Sequence, residues 1–204
     1  MTTIFTIGHS NHTSETFIAL LRLHNITAVA DVRSSPYSRF APQFNKAELA
    51  SLLKKNNMVY VFLGNYLGAR PNDPLCYRNS AIDFSRLSQT DYFQEGLERV
   101  IKGTSQFNLA LLCTEKDPIQ CHRMILVSRH LRANDTVIKH ILEDGELEDN
   151  RDSERRLMDC LHMETVDLFR NIADIVEEAY DRQGERIAYH EDEESRQARD
   201  LIHA

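Results

Sequence analysis

With 204 residues, 42% of them hydrophobic and 27% charged, the chain has the length and balance of a globular protein with one core, which excludes fibrous and wholly disordered classes. Its longest apolar runs, such as Leu109 to Cys113, fall far short of the roughly 18 residues a membrane-spanning helix requires, and no basic segment followed by an apolar one opens the sequence. Four cysteines, at 76, 113, 121 and 160, are too few and too unevenly spaced for a disulfide framework, so a soluble cytoplasmic protein with reduced thiols and no membrane contact is expected.

The net charge of −7 conceals an asymmetry, with 16 Lys and Arg against 11 Asp and Glu over residues 1–142 but 8 against 20 over residues 143–204. The acidic part reads either as a solvated helix with a polar end or as a screen for a basic face that attracts phosphates or nucleic acid.

Strand-length apolar segments alternate with segments of helical period through the first 142 residues, the pattern of a parallel sheet with crossover helices. Five strands are expected, at Ile4 to Gly8, Ala28 to Val32, Met58 to Leu63, Leu109 to Cys113 and Thr136 to Leu142. Between the first two, Phe17, Leu20, Leu21 and His24 share one helical face behind a Thr13 cap. Asn45 with Glu48 predicts a capping box for a second helix whose stripe is Leu49, Leu52 and Leu53. Glycines and prolines crowd residues 64–74, so residues 64–90 read as a long loop over the site, holding at most short helical turns. A helix resumes near Asp91 with Phe93, Leu97, Val100 and Ile101 inward. Asp117-Pro118-Ile119-Gln120 predicts a helix from Pro118 to about Arg132, which would spread Cys121, His122 and Arg123 over successive faces. From Ser153 to Tyr180, the spacing of Leu161, Leu168, Ile172, Ile175 and Ala179 predicts one long helix that docks on the core or pairs with a second copy as a homodimer; residues from Gln183 on read as polar and frayed.

The fold expected is therefore α/β, a single three-layer domain with a mostly parallel five-stranded sheet over residues 1–145 and an acidic helical extension over 146–204. Ligands of such sheets bind beyond the carboxyl ends of the strands, where Gly8-His9-Ser10, Asp31-Val32-Arg33-Ser34 and Cys113-Thr114-Glu115 fall. His9 is a candidate general base, and Asp31 either pairs with Arg33, orients His9 or acts as an acid. Cys113 at a helix N-terminus is a candidate nucleophile or acid/base, with Glu115 and His9 to handle protons. Arg33, Arg39 and Arg123 are candidate anion clamps, with Gly8, Ser10 and Ser34 as further substrate contacts. Cys113, Cys121, His122 and His9 can all ligate zinc or iron, but no C-x-x-C or H-x-x-x-H pair occurs, so no metal is assigned. Neither G-x-G-x-x-G nor a Walker loop is present, so no cofactor is assigned.

Taken together, Thr6-Ile7-Gly8-His9-Ser10, Asp31 to Pro36, the Phe40 to Phe44 run, and Leu112 to Lys116 with Cys121-His122-Arg123 resemble the bacterial family of domain of unknown function 488 (DUF488), over roughly residues 3–142. The resemblance implies a shared fold and a set of positions, not a reaction. Two functions fit these residues: an enzyme using Cys, His and Glu for transfer or hydrolysis on a small anionic or nucleotide-like substrate, and a non-catalytic nucleic-acid, nucleotide or zinc/iron binder.

Overall fold

The computed structural model describes residues 2–132, 136–164 and 170–191. In chain order its elements are β1 (Thr2–Gly8), α1 (Ser14–Leu23), β2 (Ala28–Asp31), α2 (Lys46–Lys55), β3 (Val59–Phe62), α3 (Gly64–Leu67), β4 (Tyr77–Arg78), β5 (Ala81–Ile82), α4 (Phe84–Ser88), α5 (Asp91–Thr104) and β6 (Leu109–Cys113). A π-helix (Arg123–Ser128) runs into α6 (Arg129–Leu131), and β7 (Thr136–Ile141), β8 (Leu147–Asp149), α7 (Asn150–Cys160) and α8 (Ile172–Ile187) follow. No described helix is long and apolar enough to cross a membrane.

The main sheet has six strands in the order β3-β2-β6-β1-β7-β8, parallel except for β8, with β4 and β5 forming a separate hairpin. The sixth strand corrects the five-strand expectation. Gly145, at φ +89°, closes the turn between Leu142 and Glu146, and only three residues pair beyond it, two of them charged. A strand that short and polar is a protected edge and shows no apolar alternation in sequence. It lies within the segment assigned to the helical extension.

Period-two alternation divides the core between the two faces of the sheet. Ala28, Ala30, Leu109, Leu111 and Cys113 pack with Phe93, Leu97 and Val100 of α5 and Leu126 and Val127 of the π-helix. Ile7, Val29, Ala110 and Leu112 pack on the other face with Phe17 and Leu21 of α1 and Leu49 and Leu53 of α2. Helices on both faces make the architecture three-layered.

Local chemistry accounts for most helix ends. Thr13 and Thr90 accept from the backbone N–H groups of Thr16 and Phe93 and so cap α1 and α5. Asn45 makes no such cap; its Oδ1 accepts instead from the Ser38 N–H at 2.7 Å, pinning the loop after β2. Ile101 lies at the edge of the α5 stripe, 36% exposed.

The single helix expected over Ser153–Tyr180 is interrupted. α7 ends in a Schellman turn in which His162, at φ +53°, donates to Asp159 O and Met163 donates to Met158 O. Leu168 lies outside the described residues. On α8, Ile175, Ala179 and Tyr180 bury against Ile119, Met124, Ile125 and Leu157, while Ile172 is half exposed. Gln183 is buried and donates to Ile119 O, and Tyr189 O accepts from Ile82 N–H, so the segment read as frayed from Gln183 is ordered as far as Glu191. Acidic side chains of α7 and α8 pair with basic ones next to the sheet: Glu177 and Asp181 with Arg129, and Glu154 and Glu177 with Arg132.

A left-handed conformation at an exposed, non-glycine residue costs about 1 kcal/mol. His162→Gly should therefore raise stability by about 0.5 to 1 kcal/mol, read as a higher Tm, and an unchanged or lower Tm would contradict the assignment of this turn.

Candidate functional site

The alternation that builds the core also sorts the candidate residues. Asp31 shares Val29's face and His9 shares Ile7's, the face covered by α1 and α2, whereas Cys113 shares Leu111's face against α5. The sheet therefore separates two polar clusters.

The first cluster is closed. Asp31 accepts from Arg33 Nε (2.8 Å), Arg33 Nη2 (2.7 Å) and the Tyr60 hydroxyl (2.8 Å), and Arg33 also donates to Phe44 O (2.9 Å). Asp31 and Arg33 are 0% and 5% exposed, and burial works against the Arg33 charge while Asp31 more than offsets it, holding the guanidinium protonated. His9 stacks on Phe44 with ring centroids 4.5 Å apart. Its Nδ1–H donates to Ser10 O and its Nε2 accepts from Arg33 Nη1 at 3.1 Å, so both nitrogens are committed. Burial first, and Arg33 next, lower its pKa to about 4. His9 is thus a neutral core imidazole with no lone pair to offer as a base, and Asp31 contacts Arg33, not His9.

The second cluster is open. Cys113 ends β6, and the turn after it is built by Asp117, whose carboxylate accepts from Ile119 N–H, and by Pro118, which starts a 3₁₀ turn ending at Gln120. Cys121 is then extended (φ −134°, ψ 138°), and the π-helix begins only after His122. This break corrects the single helix expected from Pro118, and it lets Cys121 and His122 turn to the same point. The Sγ atoms of Cys113 and Cys121 and a ring nitrogen of His122 lie within 4.8 Å of one another. Cys113 Sγ is 3.5 Å from His122 Nδ1, and Glu115 Oε2 accepts from both thiols, at 3.2 and 3.0 Å.

The thiols, 3% and 1% exposed, titrate as a pair. Burial drives Cys113 well upward. Burial opposes ionisation of Cys121 as well, but the Cys113 thiol, Arg123 and His122 overcome it and hold Cys121 well below its ordinary range. Glu115 is exposed as a residue, yet its Oε2 is desolvated against the sulfurs, and that desolvation and then Cys121 push its pKa up. Burial works against a cationic His122, which Cys121, Glu115 and the Val32 carbonyl outweigh to raise it.

Above the cluster is a polar cavity of about 160 Å³. Cys113, Glu115 and His122 line it together with Ser34, Ser35, Thr114, Arg70, Phe84 and Tyr189, and Arg33 reaches its edge. Arg70 was not anticipated. Its backbone N–H donates to Ser34 Oγ (2.9 Å), its guanidinium lies 4.2 Å above the Tyr189 ring, and it has no carboxylate partner among the described residues. Nothing in the local sequence around Arg70 marks it, because its place depends on the α3 to β4 segment folding back over β2.

The remaining candidates sit elsewhere. Arg123 is fully buried and donates to the carbonyls of Glu115 and Lys116 and to Thr6 Oγ1, fixing the turn that carries Glu115. Gly8 faces the same turn: a Cβ there would stand 1.9 Å from Glu115 O, so its role is close backbone approach. Ser10, at φ +45°, donates its N–H to Thr114 O and its hydroxyl to Asn11, outside the cavity lining. Arg39 is exposed beside Phe40. Of the candidates, Ser34, Arg33, Cys113 and Glu115 line the cavity, while Gly8, His9, Ser10, Asp31, Arg39 and Arg123 do not.

The profile of the family described as "Domain of unknown function DUF488" matches residues 13–130. That stretch runs from the cap of α1 through most of α6 and contains both clusters except His9; it is shorter at each end than the resemblance over 3–142. No curated protein and no solved structure matches the chain.

Proposed function

Since the chain belongs to the DUF488 family, a description that names no reaction, we propose that the cavity over Cys113 is the active site of an enzyme that hydrolyses, or transfers a group of, a small anionic, nucleotide-like substrate. One observation carries this reading: Glu115, the only carboxylate lining the cavity among the described residues, touches two thiols beneath it and shares the lining with Arg70, which has no carboxylate partner among those residues, and with Ser34, Ser35 and Thr114. The cation and hydroxyls suit an anionic group, and Phe84 and Tyr189 offer a planar, apolar edge to the rest of the molecule.

In this reading Glu115 carries the proton. An acceptor O–H, water in the hydrolytic case, gives its proton to Glu115 as its oxygen attacks the substrate's electrophilic atom. The bond to the leaving group then breaks, and the proton held on Glu115 departs with it. Arg70 holds the anionic group, and Arg33, committed to Asp31, stiffens the cavity edge without binding.

The test is consumption of metabolites. Purified protein incubated with a polar metabolite extract and followed by mass spectrometry should deplete at least one anionic compound that Glu115→Gln leaves intact. Equal depletion by both proteins, or no depletion of any anionic compound by wild type, would remove the proposal.

A further inference from the structure

We propose that Cys113, Cys121 and His122 hold a divalent metal ion of the zinc class at the floor of this cavity. The inference rests on the enzyme reading for the metal's use, though not for its presence.

The first observation is the ligand set itself. Two sulfurs and one imidazole nitrogen converge within 4.8 Å from residues eight and one positions apart. Four-coordinate zinc with Zn–S of about 2.3 Å and Zn–N of about 2.05 Å requires an S···N edge of about 3.5 Å. The Cys113 Sγ to His122 Nδ1 distance is 3.5 Å.

The second observation is independent of the sulfurs. His122 Nε2–H donates to Val32 O at 3.0 Å, which fixes the ring with Nδ1 toward the two cysteines, where it would ligate on losing any proton to an incoming metal. Metal-bound imidazoles are held in this way, with the second nitrogen donating to a carbonyl. The backbone N–H of Arg123 also points at Cys121 Sγ, at 3.4 Å, and supports a thiolate there. A catalytic thiol paired with His122 would need the oriented ring but not the second cysteine.

Two thiolates and an imidazole select zinc over magnesium or calcium, which take oxygen ligands. Three protein ligands also leave a fourth position for water or substrate, as catalytic zinc sites do. Glu115 contacts both sulfurs but is not part of the mutual ligand set, so it stands beside the metal as the proton acceptor. With Cys113, Cys121 and His122 holding it, the metal would acidify a water in the hydrolytic case; Glu115 would take that water's proton as its oxygen bonds to the substrate and would pass the proton to the departing group.

Cobalt(II), titrated into the reduced, chelator-treated full-length protein, is the probe. One equivalent should bind with thiolate-to-metal charge-transfer absorption and the strong visible bands of four-coordinate cobalt, and zinc should displace it. Cys121→Ser should weaken binding by about 100-fold or more, while Cys160→Ser, an exposed cysteine elsewhere, should bind as wild type does. Cobalt binding without thiolate absorption in wild type overturns the proposal whether or not the variants fold. No stoichiometric metal, alongside substrate consumption that depends on Glu115, overturns the metal and leaves the enzyme reading standing. Stoichiometric thiolate-bound metal without any consumption upholds the metal and removes the enzyme reading.

Discussion

Arg33→Met should lower the unfolding free energy by about 3 to 5 kcal/mol, the loss expected when one partner of a buried ion pair is removed. The Asp31 carboxylate is fully buried, and without Arg33 it retains only the Tyr60 hydroxyl as a side-chain donor. Phe44 O and His9 Nε2 lose their donor in the same step, each a buried acceptor left unsatisfied. The double variant Asp31→Asn with Arg33→Met should recover part of this loss, because the uncompensated charge is gone. Equilibrium urea unfolding at pH 7 reads both. A loss below about 1 kcal/mol for Arg33→Met, the worth of an exposed pair, would contradict the closed cluster.

Acid should destabilise the protein between pH 6.5 and 4, and two histidines should set the slope. His9 and His140 are both buried, and burial first, with Arg33 beside His9 and Arg123 beside His140, lowers each pKa to about 4. In His140, Nδ1 meets Thr6 Oγ1 at 2.8 Å and Nε2 meets Asn150 Oδ1 at 3.1 Å, a network that passes on to Glu154 and Tyr180. Because the folded pKa lies below the unfolded one near 6.5, the unfolded chain takes up protons first as pH falls. The stability these groups contribute is fully present above pH 6.5, is lost at up to about 1.4 kcal/mol per pH unit for each, and levels off near pH 4. Over that window the loss is roughly 3 kcal/mol per imidazole, large against a typical total of about 5 to 15 kcal/mol. His140→Gln should lower stability at pH 7 and flatten its dependence on pH. Curves for wild type and His140→Gln that stay parallel from pH 6.5 to 4 would contradict a neutral, buried His140.

Much of the fold is legible in the residues because parallel strands buried on both faces are apolar throughout. Ala28–Asp31 and Leu109–Cys113 stand out for that reason, and Phe17, Leu20 and Leu21 mark α1 by their period. β8 is invisible because an edge strand of three residues needs no apolar pattern. The break at Cys121 is hidden because Asp117 and Pro118 open a 3₁₀ turn as readily as an α-helix, and nothing local says which continues.

The candidate site's geometry was legible in part. Cys113 and Glu115 follow from their place at a strand end, and their position is where open α/β sheets bind ligands. The separation of His9 and Asp31 from Cys113 was also written in the alternation, since Ile7, Val29 and Leu111 already fix which face each strand end presents. Arg70 and the meeting of His122 with Cys113 were not, because both depend on backbone breaks at a distance from the strands.

Steady-state kinetics on the substrate identified by depletion separates the roles proposed for Arg70, as anion clamp, and Glu115, as proton carrier, in one cavity. Glu115→Gln should lower kcat by about 10²- to 10⁴-fold with KM little changed, and Arg70→Ala should raise KM with kcat nearly intact. Kinetics in which both variants keep wild-type kcat and KM would contradict both roles.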